Sequence, residues 1–398
     1  MNSTLDLSEL PGFREDPYPH YARLREQGPV HRVRDCLRAV GDPNGHFWLV
    51  VGHEEARAAL VDPRLIKNPQ AVGFSSPDID IVGPHLLHRD PPHHARLRKL
   101  VSREFTARRM QQLEPRIQEI TDGLLDAVVP AGRADLVTDF AFPLPITVIC
   151  ELLGVPMTDR DAFRELTNEL VAPTDLSKRP DGLRRIGDYL DDLIADKRSN
   201  GGSDDLLSVL IRTRDEGDDH LTGPELRAFA YLLLIAGHET TVNLIVNGVR
   251  ALLAHPEQLA ALRADFSLLD GAVEEMLRYD GPVETATYRF TAEPVEIAGT
   301  AIPAGEMVLV GLGPADRDPA RFPDPDRFDI RRDARGHIAF GHGIHFCIGA
   351  PLARLEARIA LKTLLTRCPE LAADPSAGPL DWLPGLLIRG VRSLPVRF

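Results

Sequence analysis

Phe340-Gly341-His342-Gly343-Ile344-His345-Phe346-Cys347-Ile348-Gly349 leads straight into Ala350-Pro351-Leu352-Ala353, the start of an apolar helical run. A lone cysteine at a helix entrance meets free amide N–H groups and a partial positive charge. That setting favours a thiolate, which is a metal ligand or a nucleophile. Gly341, Gly343 and Gly349 allow close backbone approach, and Phe340 and Phe346 keep the site dry. The same residues also suit a small core cysteine beside a glycine turn, so the stretch alone leaves both readings open. Phe346 stands where a dinucleotide loop needs its third glycine, and that fingerprint fails. No second cysteine forms C-x-x-C with Cys347, and Cys36, Cys150 and Cys368 are scattered. This argues against a zinc ribbon, c-type haem attachment, a thioredoxin-like pair and an iron–sulfur cluster.

Upstream, Pro224–Ala254 reads as one long helix. Leu226, Ala230, Leu233, Gly237, Thr241 and Leu244 recur at three-to-four spacing and mark an inner face. Within it, Ala236-Gly237-His238-Glu239-Thr240-Thr241 combines poor helix formers. Ala236, Gly237 and Thr240 share a face, and their small size leaves room along it. The alternative is close helix packing, with each threonine hydroxyl bonded back one turn. A zinc-protease reading of His238-Glu239 fails, because Val242 stands where the second histidine is needed. In Asp90-Pro91-Pro92-His93-His94-Ala95-Arg96-Leu97-Arg98, His94 and Arg98 are four apart on one helix face. A His/Arg pair suits carboxylates, which arginine grips in a two-point fork. Glu275 and Arg278 have the spacing of a helical ion pair.

The loop F-G-x-G-x-H-x-C-x-G resembles the haem-thiolate loop of the cytochrome P-450 family, and the resemblance extends from Asp16-Pro17-Tyr18-Pro19 to the final strands. It implies one domain over 1–398, mainly α with a small β region, folded as a triangular prism. It implies haem b with Cys347 as the iron ligand, because a thiolate pushes electron density onto the iron and favours O–O cleavage. It implies that Thr240 holds dioxygen and Glu239 feeds protons from water. Gly237 and Phe340 would lie against the cofactor, and His94, Arg98, Arg289 and His345 would hold its propionates. Glu275, Arg278 and Arg327 would form a buried network supporting the loop. The reaction implied is insertion of one oxygen atom of O2 into a C–H or C=C bond. Electrons would come from NADH or NADPH through a reductase and a ferredoxin, which would dock on Lys99, Arg103, Arg108, Arg109, Arg354 and Arg358. The whole chain looks closest to members that oxidise macrolides and related polyketides in actinomycetes. The loop Asp62–Pro92, Val171–Lys178 and Val283–Ala286 would form much of the substrate site, with Asp78 and Asp80 candidates for pairing with an amino sugar.

Composition agrees. The 398 residues are 43% hydrophobic, enough for a large core. The net charge of −13 disfavours general nucleic-acid binding. The start Met1-Asn2-Ser3-Thr4-Leu5-Asp6 lacks signal-peptide character, and the apolar run Tyr231–Ala236 is too short to span a bilayer. The expectation is a soluble bacterial enzyme in a reducing cytoplasm. Two readings from other classes are a haem-based ligand sensor without turnover and a hydrolase with Cys347 as nucleophile.

Overall fold

The computed structural model describes residues 5–34, 46–74, 77–159, 166, 179–213 and 219–398. Helices dominate. In chain order, those that position the site are α1 (Tyr18–Gln27), α2 (His53–Val61), α3 (Pro77–Ile81), α4 (His93–Ser102), α5 (Glu114–Val128), α6 (Pro143–Leu153), α7 (Arg179–Ser199), α8 (Gly223–Gly237), α9 (Glu239–Ala254), α10 (Leu269–Asp280) and α11 (Ala350–Arg367). Val171–Lys178 and Cys36 fall outside the described residues.

The main sheet has six short strands: β1 (Leu5–Asp6), β2 (Val30–Arg34), β3 (His46–Val50), β4 (Leu65–Ile66), β5 (Arg289–Thr291) and β6 (Met307–Val310). Their spatial order is β1-β2-β3-β6-β5-β4. β3 and β6 pair in parallel, with Trp48 opposite Val308. β5 runs antiparallel to β6, with Arg289 opposite Val308. That register places Arg289 inside the sheet, 3% exposed.

The core centres on α9, which packs against α6, α10 and α11. It is buried along most of its length, through Val242, Leu244, Ile245, Val246 and Val249 and also the polar Asn243 and Asn247. Gly223–Ala254 is long and apolar enough to cross a membrane, but it is mostly buried inside the protein. It reads as the central core helix.

One expectation fails here. Pro224–Ala254 is two helices, α8 and α9, broken at His238. The start of α8 is fixed by a capping box between Thr222 and Glu225. Its end follows from the threonines. Thr240 Oγ1 donates to the Ala236 carbonyl at 2.9 Å and Thr241 Oγ1 to that of Gly237 at 3.3 Å. These hydroxyls offer the carbonyls an alternative to the ladder, and such back-bonding bends a helix.

Candidate active site

The cysteine loop folds as its glycines require. Gly341 and Gly343 have φ of 73° and 76°, a region costly for other residues. Cys347 N–H donates to the Phe340 carbonyl at 2.9 Å, closing the loop. Phe340 lies under the Arg354 guanidinium, 4.4 Å from its ring centroid. Cys347 stands at the N-terminal end of α11. Here the electrostatic expectation is corrected. Burial by the surrounding protein pushes the thiol up, and the Gly349 and Ala350 amides, with Arg98 and Arg354, only partly pull it back. The helix entrance alone does not make a thiolate; a coordinated metal ion does, since a ligating thiol is deprotonated outright.

Around the loop gathers an unusual group of bases. His94 is 2% exposed and its Nε2 has no partner. Its ring centroid lies 4.3 Å from that of His345, and both ring nitrogens of His345 are buried and unpartnered. Burial and the charges of Lys67, His94, Arg289 and Arg98 push His345 down to about 2. Arg98 bonds only a carbonyl, that of Phe346 at 2.8 Å. Arg289 reaches the Leu60 carbonyl at 3.5 Å, and burial lowers it to about 10 despite Asp90. Buried polar atoms are nearly always satisfied. Four bases with spare donors and too little negative charge are the donor set that a pair of carboxylates completes. Haem propionates fit that requirement, and the chain brings together all four predicted residues.

The oxygen-side residues fall partly as expected. Ala236 is exposed and Gly237, Glu239 and Thr240 are half-buried, within helices otherwise buried. Burial pushes the Glu239 carboxyl up to about 7, against the opposing pull of Arg392 and Asn243. A Cβ at Gly237 would meet Ile149 Cδ1 at 2.8 Å, so its side-chain position packs on α6. His238, the break residue, is fully buried against Phe142 and held down at about 4 by burial.

The supporting network is also corrected. Glu275 is gripped by Arg278 at 2.7 and 2.9 Å, and both side chains are fully buried. The third arginine is Arg332, whose Nε lies 3.3 Å from Glu275. Arg327 points outward, 65% exposed, and contributes only its carbonyl to Arg278. Sequence reasoning also missed Glu356. It lies on the apolar face of α11 with Leu352, Leu355 and Ile359, a spacing that marks a core position. Burial pushes it up to about 8, beside Thr241.

The basic docking face is thinner than expected. Arg354 makes a fork to Glu274 at 2.6 and 2.8 Å, Arg358 pairs with Asp270 at 3.0 Å, and Arg109 pairs with Glu104. Lys99, Arg103 and Arg108 are exposed. Ile344 and Phe346 are exposed apolar side chains.

With this geometry in hand, the comparisons agree. Residues 169–381 match the family model for cytochrome P450. The chain is 58% identical over 399 residues to the cytochrome P450 monooxygenase PikC of Streptomyces venezuelae, covering 99% of this chain and 94% of that protein. It is 46% identical over 411 residues to the 6-deoxyerythronolide B hydroxylase of Saccharopolyspora erythraea, covering 100% and 99%. The structure of the tirandamycin C-bound P450 monooxygenase TamI superposes with a TM-score of 0.87 at 45% identity, covering 97% of this chain and 98% of that one. The chain belongs to the cytochrome P450 family. It is a haem b monooxygenase with the mainly helical fold of that family.

Proposed function

We infer that the chain oxidises a polyketide, a macrolactone or a close relative of one. Two relatives support this reading: one hydroxylates 6-deoxyerythronolide B, a macrolactone, and another binds tirandamycin C. Haem, when bound, supplies the activation of dioxygen. The chain's own residues do the rest. Cys347 is the iron ligand, and Phe340 and Phe346 shield it. Arg98, Arg289, His94 and His345 hold the propionates. Thr240 and Glu239 would hold and move protons beside the haem.

The observation that carries the proton role is the helix break. At the break Ala236 is exposed and Thr240 half-buried, while the neighbouring turns are buried. The Thr240 hydroxyl bonds the Ala236 carbonyl, so its oxygen keeps lone pairs for a water or substrate oxygen. Glu239, poised near 7, can give and regain a proton at working pH. Electrons come from a soluble iron–sulfur protein drawn to the exposed basic residues Lys99, Arg103 and Arg108. A cytoplasmic location fits the reduced cysteines Cys150, Cys347 and Cys368.

Thr240→Ala tests the proton role. The variant should load haem and bind substrate normally, yet convert reducing equivalents to hydrogen peroxide. Loss of a positioned proton donor costs about 10²–10⁴-fold in the step it serves. Glu239→Gln should likewise remove the pH dependence of coupling near 7. Unchanged product yield per NADPH in both variants would refute the assignment.

A further inference from the structure

The C-terminal end of the chain lies along α9, the helix that begins at the break. Segments 381–383 and 390–392 form a small antiparallel hairpin. Trp382 pairs with Val391, Leu383 N–H donates to the Gly390 carbonyl at 2.9 Å, and Arg392 N–H donates to the Asp381 carbonyl at 2.8 Å. Glu239, Asn243 and Asn247 follow one another at four-residue spacing and share one face of α9. The second arm of the hairpin tracks that face. Asn247 Nδ2 donates to the Arg389 carbonyl at 2.9 Å. Gly390 comes so close to Asn243 that a Cβ there would overlap the amide oxygen, so only glycine fits.

The register continues by one more turn. From Asn247 to Glu239 the helix advances about 12 Å, at roughly 1.5 Å per residue. From Arg389 to Arg392 an extended chain advances about 10 Å, at roughly 3.3 Å per residue. Arg392 therefore arrives over the first turn of α9, where Glu239 stands. The charges agree with this placement. Burial raises the Glu239 carboxyl to about 7, and the strongest opposing pull is that of Arg392, ahead of Asn243. Asn243 Nδ2 also donates to the Glu239 carbonyl at 2.9 Å, which fixes the turn. The neighbouring titratable groups are engaged elsewhere. His238 packs its ring on Phe142, with Nδ1 3.1 Å from the Leu234 carbonyl, and Glu356 of α11 lies beside Thr241.

Arg392 has a competing partner. Its Nε lies 3.6 Å from Asp381 Oδ2, with the arginine side chain 44% and the aspartate 72% exposed. An ion pair so open to water is weak and holds the guanidinium loosely. Glu239 is half-buried and gains more from the same charge.

We propose that Arg392, brought over α9 by the contacts of Asn243 and Asn247, is a positioning residue for the oxidation that stabilises the carboxylate form of Glu239, and that Asp381 competes for it. This rests on the reading of Glu239 as a proton carrier. When the Glu239 O–H passes its proton on, Arg392 steadies the carboxylate left behind until a proton from solvent restores it.

The test follows the Glu239 carboxyl by infrared difference spectroscopy on the haem-loaded enzyme, with Glu239→Gln identifying its band. Product per NADPH is measured across pH on the same proteins. Arg392→Gln should move both the titration of the band and the coupling profile up by about 0.5–1 pH unit, a modest shift because the arginine is partly exposed. Arg392→Lys, which keeps the charge, should restore most of the wild-type position. Asp381→Asn should move both down. At about 1 M salt the gap between wild type and Arg392→Gln should narrow. An unmoved band in Arg392→Gln overturns the proposal. So does a coupling profile that Glu239→Gln flattens but Arg392→Gln leaves in place. If Glu239→Gln leaves the profile unchanged, the proton reading fails and the proposal fails with it.

Discussion

Arg278 and Arg289 are both buried arginines, and the protein treats them oppositely. Arg278 is surrounded by acceptors: both Glu275 oxygens and the carbonyls of Asp316, Pro325 and Arg327. Glu275 in turn receives Arg332 and the Asp329 N–H. Arg289, with Arg98, His94 and His345, has two carbonyl contacts and a row of empty nitrogens. Desolvating a charge without pairing it is expensive. A fully paired cluster is therefore read as architecture, and an unpaired one as a seat for something anionic. The paired cluster holds the segment before the cysteine loop; the unpaired one surrounds the loop itself.

The largest effect should come from breaking the paired side. Arg278→Ala leaves Glu275 buried with less compensation, at a cost of about 3–5 kcal/mol. Thermal unfolding should show a large fall in Tm, with or without haem. A variant of wild-type stability would mean that the network is not structural.

Next comes the unpaired side, where the sign differs. Arg98→Ala with Arg289→Ala should lower haem affinity at least tenfold in a haem-transfer assay. The haem-free protein should lose no stability, because the substitutions remove uncompensated buried charge. A haem-free protein that is markedly destabilised would place these arginines with Arg278.

How legible were these two clusters in the sequence? The unpaired one was read fully: the spacing of His94 and Arg98, together with the family resemblance, named all four bases. The paired one was read with the wrong third arginine, because Arg327 and Arg332 both sit in the meander and only the turn Asp329–Arg332 decides which points inward. The helix break at His238 was invisible to periodicity, since the apolar stripe continues across it. Only the two threonine back-bonds reveal it. The thiol's direction was misjudged because burial cannot be read from a loop motif.

The smallest effect concerns one loose atom in the paired region. Asp316 accepts from the Ile338 N–H at 2.8 Å, while its Oδ2 is buried and unpartnered. Burial raises its carboxyl to about 7, against His337, the Ile338 N–H, Arg278 and Arg321. A raised folded-state value means stability that is complete below the ordinary aspartate range and lost as pH rises through about 7. Asp316→Asn should therefore unfold a few degrees higher than wild type at pH 8.5, for about 1–2 kcal/mol. Near pH 3, below the ordinary aspartate range, the two should match. Identical melting at both pH values would show that the carboxyl is ionised at no cost.

The central claim is that Cys347 ligates the iron while the unpaired bases hold the propionates. The absorption spectrum of the reduced protein with carbon monoxide tests it most directly, comparing wild type with Cys347→Ala at matched haem content. Wild type should show the band of thiolate-ligated haem. The variant should keep haem through Arg98, Arg289, His94 and His345 yet lose that band. An unchanged band in Cys347→Ala would contradict the account.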